Sequence, residues 1–453
     1  MVIIMELKKY IDKNKIKSYI LIIIGFFLIS FGSYLFYQSY ALYEEAKEFN
    51  VINGNVEDPG DIYFAYYIDG EISREMPRQN TGYTLEEEKS NCNNGVIPTW
   101  DNAGWKFIGD YHNYNGTVKT RTKCNLYFNK TSKTVSTVLG SIEVNSYTPD
   151  FTKSACDDEI CESHEKGIFE TTDYDGNPTY YYRGSVENNY VKFAGYYWRI
   201  IRINSNGSIR IIYDGTSAHS NGESSTDRQT GTSKFNTGYN NNMYVGYMYT
   251  KDELHGITTS STIKTNVDKF YASSLNAYAS KMDNNIGYCG DRSPLNLLSG
   301  VGTGTVTTYY KGYLRVEENT PTLTCENMGD YYTVSNASIG NKALSYPIGL
   351  ITADEVILAG YTGGIFDGTY NHQTNNPSVY LSSGIRFWTM TPAGSYNPFG
   401  FTTWVSFVLF VHHAIGIDDN TTSNNYGIRP VINIRSDVKV TGIGTMTDPY
   451  VVN

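Results

Sequence analysis

The sequence predicts an α+β fold held outside a membrane by one N-terminal helix, and three observations carry that reading. Residues 19–37 form a nearly unbroken apolar run behind a group of lysines. The remaining chain is rich in Tyr (41) and Gly (42) with only 18% charged residues, a balance that suits β-rich, turn-rich surfaces. Two segments, 261–283 and 351–360, carry helix signals among these strand-like runs. At 453 residues the chain is long enough for two or three domains with sizeable cores. A formal net charge of −10, with no basic stripe beyond the N-terminus, argues against a nucleic-acid partner.

The N-terminal run KSYILIIIGFFLISFGSYLFYQSY approaches the roughly 20 residues a helix needs to cross the hydrocarbon core. Lys8, Lys9, Lys13, Lys15 and Lys17 precede it, and Glu44, Glu45 and Glu48 follow. Positive charge stays cytoplasmic, so residues 1–18 read as a cytoplasmic tail, 19–40 as a transmembrane helix and everything beyond as extracellular. A cleaved signal peptide would carry small residues at its cleavage site; bulky Tyr34, Phe36 and Tyr37 stand there instead, which favours an uncleaved signal-anchor. The six cysteines, Cys92, Cys124, Cys156, Cys161, Cys289 and Cys325, all follow the apolar run, as disulfides in an oxidising compartment would. Sequence neighbours suggest the pairs 92–124, 156–161 and 289–325, although six cysteines allow 15 connectivities. No CxxC occurs and no His stands at ligand spacing from a Cys, so no zinc site is expected.

Residues 41–60 read as a polar stalk. Residues 61–130 read as a small β module, sandwich-like or hairpin-based, opened by IYFAYYIDGE and closed by the alternating TRTKCNLYFNK, with Trp100 and Trp105 available for its core. A connector, 131–180, holds the acidic ACDDEICESHE; its Asp157, Asp158, Glu159 and Glu162 match no EF-hand spacing and read as a solvated loop. From 181 to 453 runs a larger domain. YWRIIRI and SIRIIYDG flank NSNG at 204–207, a hairpin in which Gly207 supplies the positive φ. Trp198 and Ile200, with Arg202 in the same alternation, face one way, and Arg199, Ile201 and Ile203 the other; arginines on such a strand are more often paired than ligand-binding. Ile263, Val267, Phe270, Tyr271, Leu275, Tyr278 and Met282 recur at helical spacing behind a Ser261 or Thr262 cap. Thr352 and Glu355 make a capping box, with Gly360 ending that helix. The last 70 residues return to strands.

The order NNYVKFAGYYWRIIRINSNGSIRIIYDG, STIKTNVDKFY, YPIGLITADEVILAG, RFWTMTP, YGIRPVINI resembles a family of bacterial surface proteins. Their C-terminal domains are similar to the C-type-lectin-like fold of the sulfatase-modifying-factor, or formylglycine-generating, proteins. MPRQNTGYTLEEEKSNCNNGVIPTWDNAGW resembles a small β module that precedes such domains. The resemblance implies a C-type-lectin-like domain over 181–453. Formylglycine-generating chemistry uses cysteines in the catalytic groove; residues 326–453 contain none. The EPN, QPD and WND of calcium-dependent sugar-binding lectins are absent too, so neither a calcium site nor any cofactor is expected.

Within TTWVSFVLFVHHAIGIDDN (402–420), residues 404–411 include one polar residue, Ser406. The run is far too short to span a bilayer and reads first as a core strand apolar on both faces. His412 and His413 would point to opposite sides of a continuing strand, a poor arrangement for one metal. From Ala393 to Ile428 there is no Lys, Arg, Glu, Gln or Met. Every residue there except Trp404 is reachable by adenine mutation of an AAC or AAT codon, as in lectin-like proteins diversified by retroelements, and equally as composition alone produces. Asn115, Asn129, Asn206, Asn336 and Asn420 stand in glycosylation sequons, which an Asn-rich chain also produces by chance.

No Ser–His–Asp order, phosphate loop or HExxH is present, so no catalytic residues are expected. The sequence reads as a single-pass, membrane-anchored extracellular binding or adhesion protein. Its expected partner is a protein or glycan, met by loop positions around Ser395, Tyr396, Asn397, Trp404, His412, His413 and Asp418. The alternatives are a surface enzyme on the formylglycine-generating scaffold, a retroelement-diversified binding protein, and an envelope protein that binds copies of itself.

Overall fold

A computed structural model describes residues 62–77, 83–93, 95, 99–101, 106–108, 122–130, 133–140, 143–155, 165–173, 175–335, 339–362, 378–397, 405–412 and 416–452. The expected tail, anchor and stalk lie outside these residues, as do Trp105, the 156–164 loop with Cys156 and Cys161, Trp404 and His413. Among the described residues no helix is long and apolar enough to cross a membrane. The fold is mostly β with a few short helices. It divides into two units, Met1–Pro77 with Thr84–Asn129, and Arg78–Tyr83 with Lys130–Asn453.

In the first unit, Ile62–Ile68 pairs antiparallel with Glu71–Ser73 and parallel with Thr122–Lys130. Asp69 and Gly70 take positive φ between the first two strands, the turn that a two-residue hairpin requires. The alternation expected over 122–130 is realised: Cys124, Leu126 and Phe128 are buried while Lys123, Asn125 and Tyr127 are not. Phe128 meets Trp100 edge to face at 5.7 Å between ring centroids. Cys92 stands opposite Cys124 in the register, and the two form a disulfide. The described strands make one five-stranded mixed sheet and a separate two-stranded pair, Thr99–Asp101 with Lys106–Ile108.

The second unit holds a ten-stranded and a six-stranded sheet sharing one core. Tyr196–Ile203 and Ile209–Gly215 form the expected hairpin, with Gly207 at φ +78°. Val431–Ile434 extends that sheet beyond Ile209–Gly215, and Pro178–Arg183 pairs with Tyr196–Ile203. Residues expected as a connector belong here: Lys133–Thr134, Gly167–Thr172 and Pro178–Arg183 are strands of this sheet, and Val135 and Leu139 enter the core. This unit therefore starts near Lys130 and not at 181. Gly167–Thr172 and Pro178–Arg183 pair with each other, but what joins them to this sheet is the pairing of Pro178–Arg183 with Tyr196–Ile203, and Lys133–Thr134 pairs with Lys439–Thr441 about 300 residues on, which local pattern cannot reveal.

Ser261 Oγ accepts from Lys264 N at 3.2 Å and starts the helix Thr262–Phe270. The helix does not run regularly to 283. It loosens into a π turn at Tyr271–Leu275 and tightens into 3-10 geometry at Asn276–Lys281. Ile263, Val267, Tyr271 and Leu275 are buried, but nothing in Asn276–Lys281 is, so no packed face holds that end in regular form. The capping box of Ala353–Leu358 forms as expected, with Thr352 and Glu355 serving each other's backbone N–H. Cys289 and Cys325 form a second disulfide. Two disulfides accord with an oxidising, extracellular setting.

Candidate functional site

The expected binding residues fall on three antiparallel strands, Phe387–Tyr396, Val405–His412 and Gly416–Thr421. Their register pairs Gly394 with Phe407, Ser395 with Ser406, Leu409 with Asp419 and Phe410 with Asp418. Opposed residues share a face and faces alternate along a strand, so Tyr396, Phe407 and Asp419 lie on one face and Asp418 on the other. The expected residues are therefore not brought together. Ser395 is not on a loop: it is fully buried, its hydroxyl 2.9 Å from that of Ser406, which in turn donates to Asn241 O. Tyr396 ends its strand half-buried, followed by half-buried Asn397. Asp418 is half-buried on the opposite face. His412 ends the middle strand, its side chain outside the described residues with Trp404 and His413. Val408–Val411 is buried throughout, so the core-strand reading holds for that part of the run.

On the Tyr396 face a row of rings emerges that the sequence reading missed. Tyr309 stacks on Tyr396 at 5.2 Å, and Tyr396 stacks on Phe407 at 4.8 Å. Gly394 makes room for it, because a Cβ there would stand 3.3 Å from the Tyr309 ring and 3.5 Å from the Tyr396 ring. Tyr309 arrives from Thr308–Tyr309, which pairs with this strand about 85 residues away in sequence. The helix Lys311–Glu318 brings Tyr313 within 6.1 Å of Tyr309. Burial and a hydrogen bond to Glu317 push the Tyr313 phenol well up.

At the edge of the rings, burial drives the Asp419 carboxyl up to about 7, with Asp418 and Glu317 adding like-charge repulsion. A carboxyl whose pKa rises on folding favours the folded state when protonated. That contribution is complete below the ordinary 3.8 and is lost as pH climbs to about 7. Asp419→Asn is therefore expected to leave urea stability nearly unchanged at pH 4 and to raise it at pH 8. A variant no more stable than the parent at pH 8 would show that the carboxyl is ionised without cost.

The loop after Ile209–Gly215 holds a second polar cluster. His219 Nδ1 lies 2.8 Å from Glu223 Oε1, and its Nε2 lies 3.0 Å from Asp227 Oδ2. Burial raises Asp227, but hydrogen bonds from His219, Thr216 and Ser217 outweigh it and bring its carboxyl to about 2. The His219 hydrogen bond, then the Ser220 N–H, hold Glu223 low. Ser217 Oγ is 3.4 Å from Nε2 but also donates to Asp227 at 3.2 Å. A Ser–His–Glu set is present in residue type only, since Asp227 occupies the nitrogen that would take the serine proton. The cluster ties the loop down.

Beneath this loop the core contains paired charge. Asp214 Oδ1 accepts from Arg228 Nε at 2.9 Å and Arg429 Nη2 at 2.7 Å, and all three residues are at most 1% exposed. Arg228 and Arg429 spend their remaining donors on the carbonyls of Glu223, Ser382, Tyr380, Tyr213 and Leu381. Arg199 donates to Asn189 and lies 3.7 Å over the Tyr190 ring. Arg199 is thus held by neutral protein groups through Nε and Nη2, while its Nη1 has no partner among the described residues.

Arg202, three residues on, lines a solvent-connected cavity of about 40 Å³ with Thr179, Arg210, Leu323 and Glu355. Arg210 Nη1 donates to Glu355 Oε1 at 3.0 Å, while the other oxygen, Oε2, accepts from Thr352 N at 3.0 Å. Burial pushes Glu355 up, but Arg210 and Arg202 more than offset it, so the carboxylate stays ionised and serves helix cap and ion pair together. Burial, aided by Arg210 and opposed by Glu355, lowers Arg202 to about 10. On the far wall Arg315 donates to Asp291 at 2.7 Å and to Asp354 at 2.7 and 3.0 Å.

The described residues define a disulfide-bonded, mostly β protein whose second unit carries a ring-lined sheet face and a solvent-connected polar cavity. No known protein family, curated protein or solved structure matches this chain.

Proposed function

We propose that the protein is a single-pass, non-enzymatic binding protein of the cell surface. Its C-terminal unit, of C-type-lectin-like type, offers the rings of Tyr309, Tyr396 and Phe407 to an extracellular glycan. The observation that carries this reading is the ring row with carboxylates at its edge. Aromatic faces accept the C–H faces of pyranose rings, carboxylates accept sugar hydroxyls, and rigid rings lose little entropy on binding. The anchor rests on the lysine-flanked apolar run of 19–37, and the extracellular side on the disulfides. The blocked His219 cluster lends no support to an enzyme. Burial of Val408–Val411 speaks against diversification there, because varied positions must be exposed to meet ligands.

The test is a glycan-array screen of the full chain in detergent micelles, parent against Tyr396→Ala and Tyr309→Ala. Losing one central aromatic costs about 2 kcal/mol, so roughly 30-fold weaker retention is expected with little change in melting temperature. Retention by both variants at the parent level would remove this face from the binding function. Binding of an extracellular protein alone, lost in the same variants, would keep the face and replace the glycan. Concentration-dependent self-association lost in these variants would make the face an interface between copies.

A further inference from the structure

Buried donors in folded proteins normally find a protein, water or ligand partner, so an unspent donor in a cavity wall marks a place where an acceptor can bind. The Arg202 side chain is 9% exposed, and its ion pair with Glu355 spans 3.4 Å without a hydrogen bond from Nε. Thr179 is 1% exposed, and its hydroxyl also has no partner among the described residues. These two residues share a face: Tyr181 pairs with Arg202, and Thr179 lies two residues before Tyr181 on the same strand. Other polar groups around them are already served. Arg210 donates to Asn433, Glu355 and the Gly287 carbonyl, and Arg315 covers both Asp291 and Asp354. The buried groups of this wall without a partner among the described residues are thus one guanidinium N–H and one hydroxyl. Arg202 and Arg210 face the carboxylates of Glu355 and Asp173, which also lines the cavity, so the wall offers a donor fork and no surplus of positive charge.

We propose that this cavity is a binding subsite for the carboxylate group of a small ligand, held by Arg202 and Thr179. A guanidinium presents its donors as a planar fork that matches a carboxylate. A water needs roughly 10–15 Å³ by this measure, so about 40 Å³ takes some three heavy atoms, the size of a carboxylate group. A tetrahedral phosphate is larger, and the Asp291 and Asp354 wall disfavours its second charge. The rest of the ligand extends through the opening to solvent. The subsite does not depend on the aromatic face.

Saturation-transfer NMR on the full chain in detergent micelles, with formate as the probe and chloride holding ionic strength constant, tests the assignment. Parent protein is expected to transfer saturation to formate. Arg202→Met should weaken binding at least tenfold, Arg202→Lys less, and Thr179→Val about threefold. Phosphate should displace formate poorly. Thr179→Val removes little more than a hydroxyl, so it keeps the test decisive if Arg202→Met does not fold. No transfer in the parent, or equal transfer in every variant, overturns the proposal. So does a formate-soaked crystal in which the cavity contains ordered water alone.

Discussion

Asp214→Asn is expected to lower the unfolding free energy of the C-terminal unit by about 3–5 kcal/mol, because it leaves two buried guanidinium groups without their anion. Arg228 and Arg429 reach the same carboxylate oxygen, and both are fully buried. Their carbonyl contacts to Tyr380, Leu381 and Ser382 cannot neutralise charge. Those contacts hold the 379–383 segment against the Ile209–Gly215 strand, so the loss should appear as a shift of the urea midpoint with an unchanged slope. A penalty under about 1 kcal/mol would mean that solvent enters when the charge is removed. Replacing all three residues with apolar ones of similar volume should recover much of the loss, since a buried ion pair need not outperform hydrophobic packing.

Converting Cys289 and Cys325 together to serine should cost about 3–4 kcal/mol by the loop-entropy account, the two being 36 residues apart. The bond ties a short strand, Tyr288–Cys289, to a loop that leads into another, Tyr331–Tyr332, and among the described residues these strands pair only with each other. A two-stranded pair has little stability of its own. Asp330 beside it accepts from Arg292 at 2.8 and 2.6 Å and faces His255 Nδ1 at 2.9 Å, a buried ion pair that needs this backbone held in place. Cys289 also lines the polar cavity, so the double variant should weaken formate binding along with stability. Urea unfolding of parent and variant under non-reducing conditions measures the first effect. A midpoint unmoved by the substitution would mean that the Arg292–Asp330 pair holds this region unaided.

The elements that chain-local chemistry controls are legible in the sequence. NSNG with flanking β-branched runs marked the 196–215 hairpin, and Ser261 and the Thr352–Glu355 box marked two helix starts. Each depends on residues within a few positions of one another. Alternating burial over 122–130 was equally readable, because one face of that strand is polar. The candidate sites were not readable. Ser395, Tyr396 and Asp418 looked alike as polar residues near a chain end, yet the register buries the first and sends the other two to opposite faces.

By itself, the sequence determined a β-rich chain with a few helices, the positions of turns and helix caps, and which cysteines stood close enough in chain order to suggest partners. Tertiary structure decided which strands adjoin, and with that which side of each strand is covered. Thr179 comes to share a face with Arg202, and Tyr309 meets Tyr396, only through sheet pairings. The physical reason is that period-two alternation states which residues share a side but not what lies against that side. In strands apolar on both faces, such as the buried stretch Val408–Val411, even the alternation is silent. Burial, and with it every unpaired donor and every exposed ring, is a property of neighbours brought from elsewhere in the chain.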